Sequence, residues 1–217
     1  MSRGGATGIV LPMNEALPLS APSRGPAEHD VRDQIVEAAD KHFSRYGYEK
    51  TTVSDLAKAI GFSKAYIYKF FDSKQAIGEA ICSKTVNQIV VEVEQAVASA
   101  STPTEKFRRM FKTLTAASVA LLFNDRKLYD IAASGCGEGW PSARAYAKRL
   151  QQILIDIVRE GRETGEFERK TPLDETAHAI YLVIQPYANP LLLQHNLDTV
   201  EAAPAQLSSL VLRSLAP

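Results

Sequence analysis

The sequence predicts an all-α fold, with an N-terminal three-helix unit containing a helix-turn-helix and a larger helical domain behind it. Three observations carry that expectation. Apolar residues recur at helical spacing from about residue 30 almost to the C-terminus. No stretch alternates apolar and polar residues for long enough to read as a strand. Between Thr52 and Phe71, two short apolar-faced segments flank a single glycine, Gly61.

Residues 1–27 are rich in Gly, Pro, Ser and Ala without periodicity, and are expected to be a disordered tail. Helical pattern begins after Asp30, a candidate cap. Val31, Ile35, Ala38, Ala39, His42, Phe43 and Tyr46 mark one face, and Gly47 ends the helix. A second helix, Thr52 to Ile60, turns Val53, Leu56, Ala57 and Ile60 inward. Gly61 then supplies a sharp turn at the lowest steric cost, and Ala57 is small where two helices cross. Ser63 caps a third helix running to Phe70, with Ile67 and Phe70 or Phe71 on its inner face.

Asp72 or Ser73 opens a fourth, longer helix with Ile77, Ile81, Ile89, Val93 and Val97 on its apolar stripe, ending near Ala100. The domain boundary is placed along it, giving a helix-turn-helix unit at 28–75 and a larger helical unit at 76–217. Further helices are expected at Thr104–Phe123 and at Asp125–Ser134, the latter stopped by Gly135-Cys136-Gly137. Pro141 opens a long helix to Thr164, with Gly165 beyond its end. Pro172 to Asn196 reads as one helix kinked at Pro186, and Ala203 to Leu215 as the last.

A short helix, a glycine turn and a second short helix place the second helix in a DNA major groove. Whole-chain charge gives this no support, because 25 Lys and Arg balance 25 Asp and Glu. The local balance does: Lys58, Lys64, Lys69, Lys74 and Lys84 face only Asp72 and Glu79 across that stretch. No Ser/His/Asp set, paired acids or phosphate loop suggests an enzyme, and no cofactor motif is present. His29, His42, His178 and His195 lack metal-ligand spacing. Cys82 and Cys136 match no metal or redox motif, as expected in a reducing compartment. Pro12, Asn14, Glu15 and Pro18 break up Ile9-Val10-Leu11 as a signal core, and no apolar run is long enough to span a bilayer, so a cytoplasmic protein without a membrane partner is expected.

The run Ile35-Val36-Glu37-Ala38-Ala39, then Phe43 to Tyr48, Thr51 to Ala57, Gly61 to Phe71 and Ser73-Lys74 resembles the tetracycline-repressor (TetR/AcrR) family of bacterial regulators. The specific resemblance covers roughly residues 30–80; the rest matches in being helical and in length. It implies a homodimer with two reading heads on a two-fold operator, and a C-terminal domain that binds a small organic effector. Pairing through the last two long helices is implied in the same way.

Candidate roles follow from the resemblance and from side-chain chemistry. Tyr68 resembles the family tyrosine that bonds a phosphate, Lys74 brings its ammonium to a helix N-terminus, and Thr52 is placed to cap and to touch phosphate. Lys64, Ala65, Tyr66 and Lys69 are candidate base readers, with Ser54 on the preceding helix; lysine donates to guanine, and alanine or tyrosine packs on a thymine methyl. For the effector, Phe107, Phe111, Leu114, Tyr181 and Ile184 are expected to give bulk, and His178 and Gln185 polar anchors. The same letters also suit an ordinary aromatic core with a satisfied histidine. Scarce clustered charge on these faces argues for an apolar or amphipathic organic molecule. A redox role for Cys136 requires a low pKa or a partner thiol. The competing functions are a helical small-molecule protein or enzyme that has lost DNA binding, and a DNA-binding protein without ligand control. The long C-terminal half argues against the latter.

Overall fold

The computed structural model describes residues 28–217, so the tail expected at 1–27 lies outside the described residues. Among these, every regular element is a helix. α1 (Glu28–Tyr46), α2 (Val53–Ile60) and α3 (Lys64–Ile67) make the N-terminal unit, and α4 (Lys74–Ala98) leads out of it. α5 (Pro103–Asn124), α6 (Arg126–Gly137), α7 (Pro141–Thr164), α8 (Leu173–Ala188), α9 (Pro190–Leu193) and α10 (Ala203–Ser214) follow.

α1 buries Val31, Ile35, Ala39 and Phe43, one side of a 3.6-residue period. It is already helical at Glu28, so Asp30 adds charge to the first turn instead of capping it. Tyr46 is 49% exposed, its ring beside that of His42 and not in the core. Ser73 proves to be the cap of α4, its hydroxyl accepting the Ala76 N–H. α4 packs against α1, α5, α6 and α7, most extensively against α5, so it is the shared wall of both halves. A continuous buried cluster runs from Val31 through Ile77, Phe111 and Leu154 to Leu215.

Two boundaries depart from the sequence reading for reasons of packing. The glycines at 135 and 137 do not stop α6; they lie inside its last turn. A Cβ on Gly135 would stand 3.1 Å from the Trp140 ring and 3.3 Å from the Cys82 sulfur, so the position keeps that space clear. The turn itself falls at Gly139, where φ is +65°. The helix expected at Pro172–Asn196 is two helices. α8 contains Pro186 and ends at Ala188; Asn189 then caps α9 by accepting the Leu191 N–H, with Pro190 at its first turn. By contrast α7 runs from Pro141 to Thr164 as read, closed by Gly165 at φ +80°.

Candidate nucleic-acid interface and its joint to the C-terminal helices

The reading unit is assembled from local caps. The Thr52 hydroxyl accepts the Asp55 N–H while the Asp55 carboxylate accepts the Thr52 N–H, a reciprocal capping box that starts α2. The Thr52 hydroxyl also donates to the Asp55 carboxylate at 2.7 Å, and that bond first, then the Thr52 N–H, holds the Asp55 carboxyl below the usual carboxylate range. Gly61 closes α2 at φ +80°, a left-handed conformation that disfavours a side chain. Ser63 then caps α3 by accepting the Tyr66 N–H.

α3 is shorter than expected: the α-helix ends at Ile67, and Tyr68 to Phe70 continue as tight turns. Lys64, Ala65, Tyr68 and Lys69 are exposed, whereas Ile67 and Phe71 are buried, so this segment has a distinct outer face. The Lys64 ammonium lies 5.8 Å from the centre of the Tyr68 ring. Tyr66 departs from the base-reader expectation: it is half-buried, packed edge-on between Phe62 at 5.0 Å and Phe70 at 5.3 Å. Its ring is committed to local packing, a use that i±4 aromatic neighbours signal in sequence. Ser54 is half-buried on α2.

Sequence reasoning missed Arg32. From α1 its guanidinium donates to the Phe70 carbonyl at 2.6 Å and lies 4.1 Å from the Phe71 ring centre. It therefore fixes the C-terminal end of the reading segment to α1. No local pattern announces a contact across 38 residues.

Lys74 also does more than expected. Its ammonium donates to the Tyr48 carbonyl at 3.1 Å and sits 4.3 Å from that ring's centre. An ammonium has three protons, so this anchor leaves donors for a phosphate. Tyr48 is itself a joint. It is buried between α1 and α2, and its ring meets Trp140 edge-on at 5.7 Å. Burial first, then Glu138 and Glu49, push its hydroxyl up to about 12, so it stays neutral. Trp140 stands at the N-cap of α7, yet its side chain does not cap that helix; Glu79 of α4 accepts the Ser142 N–H at 3.3 Å instead. Tyr48, Gly78, Glu79 and Trp140 thus fasten the reading unit, α4 and α7 together.

The interior expected to hold an effector is packed. Phe107, Phe111, Leu114, Tyr181 and Ile184 are buried in the core, and Gln185 is half-buried. His178 corrects the sequence reading outright: it is exposed, on the outer side of α8. Ile180 and Ile184 centre the buried face of α8, with Ala177 and Tyr181 on its edge, and His178 falls one position beyond that edge. The space enclosed beside Tyr129 and Tyr146 amounts to about 10 Å³, about enough for one water. None of the seven expected residues lines the larger cavities. One of these, of about 660 Å³, is a cleft between α5 and α10. Cys136 is not a low-pKa thiol either, since burial and then neighbouring Cys82 raise it to about 11.

Residues 35–81 match the family model of bacterial regulatory proteins, tetR family, and residues 103–207 match the tetracyclin repressor-like C-terminal domain. Over 64 residues the chain is 38% identical to IcaR of Staphylococcus aureus, the negative transcriptional regulator of the biofilm operon icaADBC; the match covers 28% of this chain and 34% of IcaR, about a third of its length. It is 23% identical to the transcriptional repressor KstR2 of Mycolicibacterium smegmatis, over 66% of this chain and 70% of that one. FadR of Bacillus subtilis, solved in complex with stearoyl-CoA, shares the fold with a TM-score of 0.62 at 21% identity, covering 84% of this chain and 98% of FadR. No helix among the described residues is long and apolar enough to cross a membrane. With both its reading unit and its C-terminal helices matched, the chain belongs to the TetR family of bacterial transcriptional regulators.

Proposed function

We propose that this regulator is a cytoplasmic, ligand-responsive repressor that binds a palindromic operator as a homodimer and leaves it when a small organic effector binds. The observation that carries the reading is α4. It starts at Lys74 beside the reading unit and continues without interruption to Ala98, packed along the way on α5, α6 and α7. Any displacement of those helices is delivered to the reading unit through a rigid rod. Dimer heads must lie about 34 Å apart to meet successive turns of one DNA face, so a small change in their separation costs affinity. The effector must prefer the state that does not fit DNA.

Dimerisation is assigned to α8 and α10. Leu182 and Leu210, at 52% and 53% exposure, are large apolar side chains facing outward on these helices, which supports a covered surface there. Thr52, Tyr68 and Lys74 are assigned to phosphates; Lys64, Ala65 and Lys69, with Ser54, to base edges. Tyr66 is assigned to holding their scaffold. That the family's members named above include a negative regulator and a repressor supports repression here.

The test is fluorescence anisotropy with DNA from upstream of the protein's own gene, in parallel with native mass spectrometry. Sequence-specific binding by a dimer is expected. Tyr68→Phe and Lys74→Ala should weaken binding without changing the preferred sequence, and Lys74→Ala should lower the salt slope by about 1 for each phosphate that is no longer neutralised. A monomer at micromolar concentration, or a changed base preference with an unaltered slope, overturns the assignment.

A further inference from the structure

We propose that the cleft between α5 and α10 is an effector site for an amphipathic anion, a molecule with a carboxylate or phosphate head and an aliphatic body. The inference rests on the ligand-responsive reading above and supplies its place and ligand class. At about 660 Å³ the cleft has the capacity of a small-molecule site. Its apolar wall includes Ala116 and Val119 of α5 and Pro204 of α10.

Two further observations specify the ligand. Arg108 and Lys112, one turn apart on α5, both line the cleft. Their neighbours Lys106 and Arg109 are engaged by Glu160 and Glu105, but Arg108 and Lys112 have no ion-pair partner among the described residues. Glu201 also lines the cleft, one carboxylate against two cations, so the balance stays positive. Ser208, 1% exposed, lines the cleft with a buried hydroxyl that has no hydrogen-bond partner. A buried hydroxyl without a partner is costly, and an acceptor or donor on a bound molecule would remove that cost. An anion near Arg108 and Lys112, an apolar body on the wall and a polar atom at Ser208 would satisfy these three side chains at once, with Glu201 left to solvent.

The position also suits control. α5 is the helix that α4 packs against most extensively, and α10 packs on α5 as well. A body inserted between α5 and α10 acts on the very helix that supports the α4 rod.

Isothermal titration calorimetry on the full chain without DNA tests the site, using decanoate, hexadecanoate, decyl phosphate and the uncharged decan-1-ol. At least one anion should bind roughly tenfold more tightly than the alcohol, a margin set by charge-assisted hydrogen bonds. The Arg108→Ala/Lys112→Ala double variant should erase that margin, and Ala116→Trp should block all four probes. Ser208→Ala should weaken binding severalfold; since its hydroxyl makes no bond in the protein, unfolding is not an available explanation, and circular dichroism checks this. Absence of anion binding, or equal binding of the alcohol, overturns the proposal. So does a change in dimer dissociation with Ala116→Trp while the ligands still bind, because a second copy of the chain would then occupy the cleft. Operator release is scored separately. Binding without release leaves the site standing and refutes ligand control, whereas release by other compounds without anion binding refutes only the site.

Discussion

Gly78 sits where α4, Tyr48 and Trp140 converge, and adding one methyl group there tests how firmly the two halves are joined. A Cβ at this position would lie 2.8 Å from Tyr48 Cε2, and 2.9 and 3.2 Å from two Trp140 ring carbons. Relaxed carbon contacts are about 3.5–4.0 Å, so the nearest overlap is roughly 0.7 Å or more. Both rings are buried, at 7% and 1% exposure, and neither is a flexible tip that swings away cheaply. Overpacking of this kind costs about 1–3 kcal/mol. Alanine returns up to about 1 kcal/mol through helix propensity in the second turn of α4. The net expectation for Gly78→Ala is a loss of about 1 kcal/mol, a fall of about 2–4 °C in Tm for a chain of this size. Operator affinity should fall too, because Tyr48 is displaced and its carbonyl anchors Lys74. The decisive measurement is a double-mutant cycle by thermal denaturation. In a Trp140→Leu background the two ring contacts at 2.9 and 3.2 Å are removed and Tyr48, which packs edge-on against that ring, gains room to move off the new methyl, so the cost of Gly78→Ala should shrink. The same sign and size in both backgrounds would show that the aromatic joint does not set the cost.

Lys64→Ala should relax preference at one symmetric base position, costing about 1–3 kcal/mol at a matched site, as read by selection from random DNA; uniform weakening would place Lys64 on backbone instead. Thr52→Ala should destabilise by about 1 kcal/mol through removal of the α2 cap, read by chemical denaturation. The linked Asp55 carboxyl is held low in the folded state, so its contribution is complete above the ordinary carboxylate pKa and is lost as pH falls through the lowered value. An acid titration of the residue 52 and Asp55 amide signals should show this, and in Thr52→Ala the midpoint should move up towards the ordinary carboxylate value, since the hydroxyl is lost and the backbone N–H is kept. Cys136 should alkylate with iodoacetamide far more slowly at pH 8 in the folded chain than after denaturation, since its thiol is raised to about 11. Rapid labelling of the native protein would contradict that environment.

What could be read from sequence was what is encoded locally. Thr52, Gly61 and Ser63 announce their caps and turn within three or four residues, and the structure has them as read. Pro141 and Gly165 bracket α7 by the same logic. The errors arise where a distant side chain decides. Gly135 is a helix breaker by propensity, but α6 continues through it because Trp140 and Cys82 occupy the space a side chain would need. Asn189-Pro190 restarts a helix where periodicity alone suggested continuation. Tyr66 and Lys74 sit on the expected segment, yet part of their bonding capacity is used inside the protein. The candidate ligand residues were identified by composition, which does not distinguish a wall from a packed core. His178 shows the limit, because one step of register moved it from the interior to solvent.

The same distinction bears on how a modest event in the C-terminal half can control DNA binding. Lys74 is at once the first residue of α4, the donor to the Tyr48 carbonyl and the ammonium assigned to a phosphate. On that assignment it would be the point at which movement of the rod becomes a change at the DNA backbone. A charge-assisted hydrogen bond is worth about 1.5–3 kcal/mol, and about 1.4 kcal/mol is a factor of ten. In a symmetric dimer each such weakening occurs twice on one operator. Weakening the Lys74–phosphate bond by about 1.4 kcal/mol per head therefore reduces affinity about a hundredfold without unfolding either reading unit. The effector has to supply the same total through its preference for the released state, about 2.7 kcal/mol shared between two sites. One well-matched anionic head group per cleft is enough. If Lys74 is this pivot, Lys74→Ala should lower both operator affinity and the fold-change on adding effector. Should the variant bind less tightly yet release by the full wild-type factor, the signal must pass through Tyr48 and Trp140 alone.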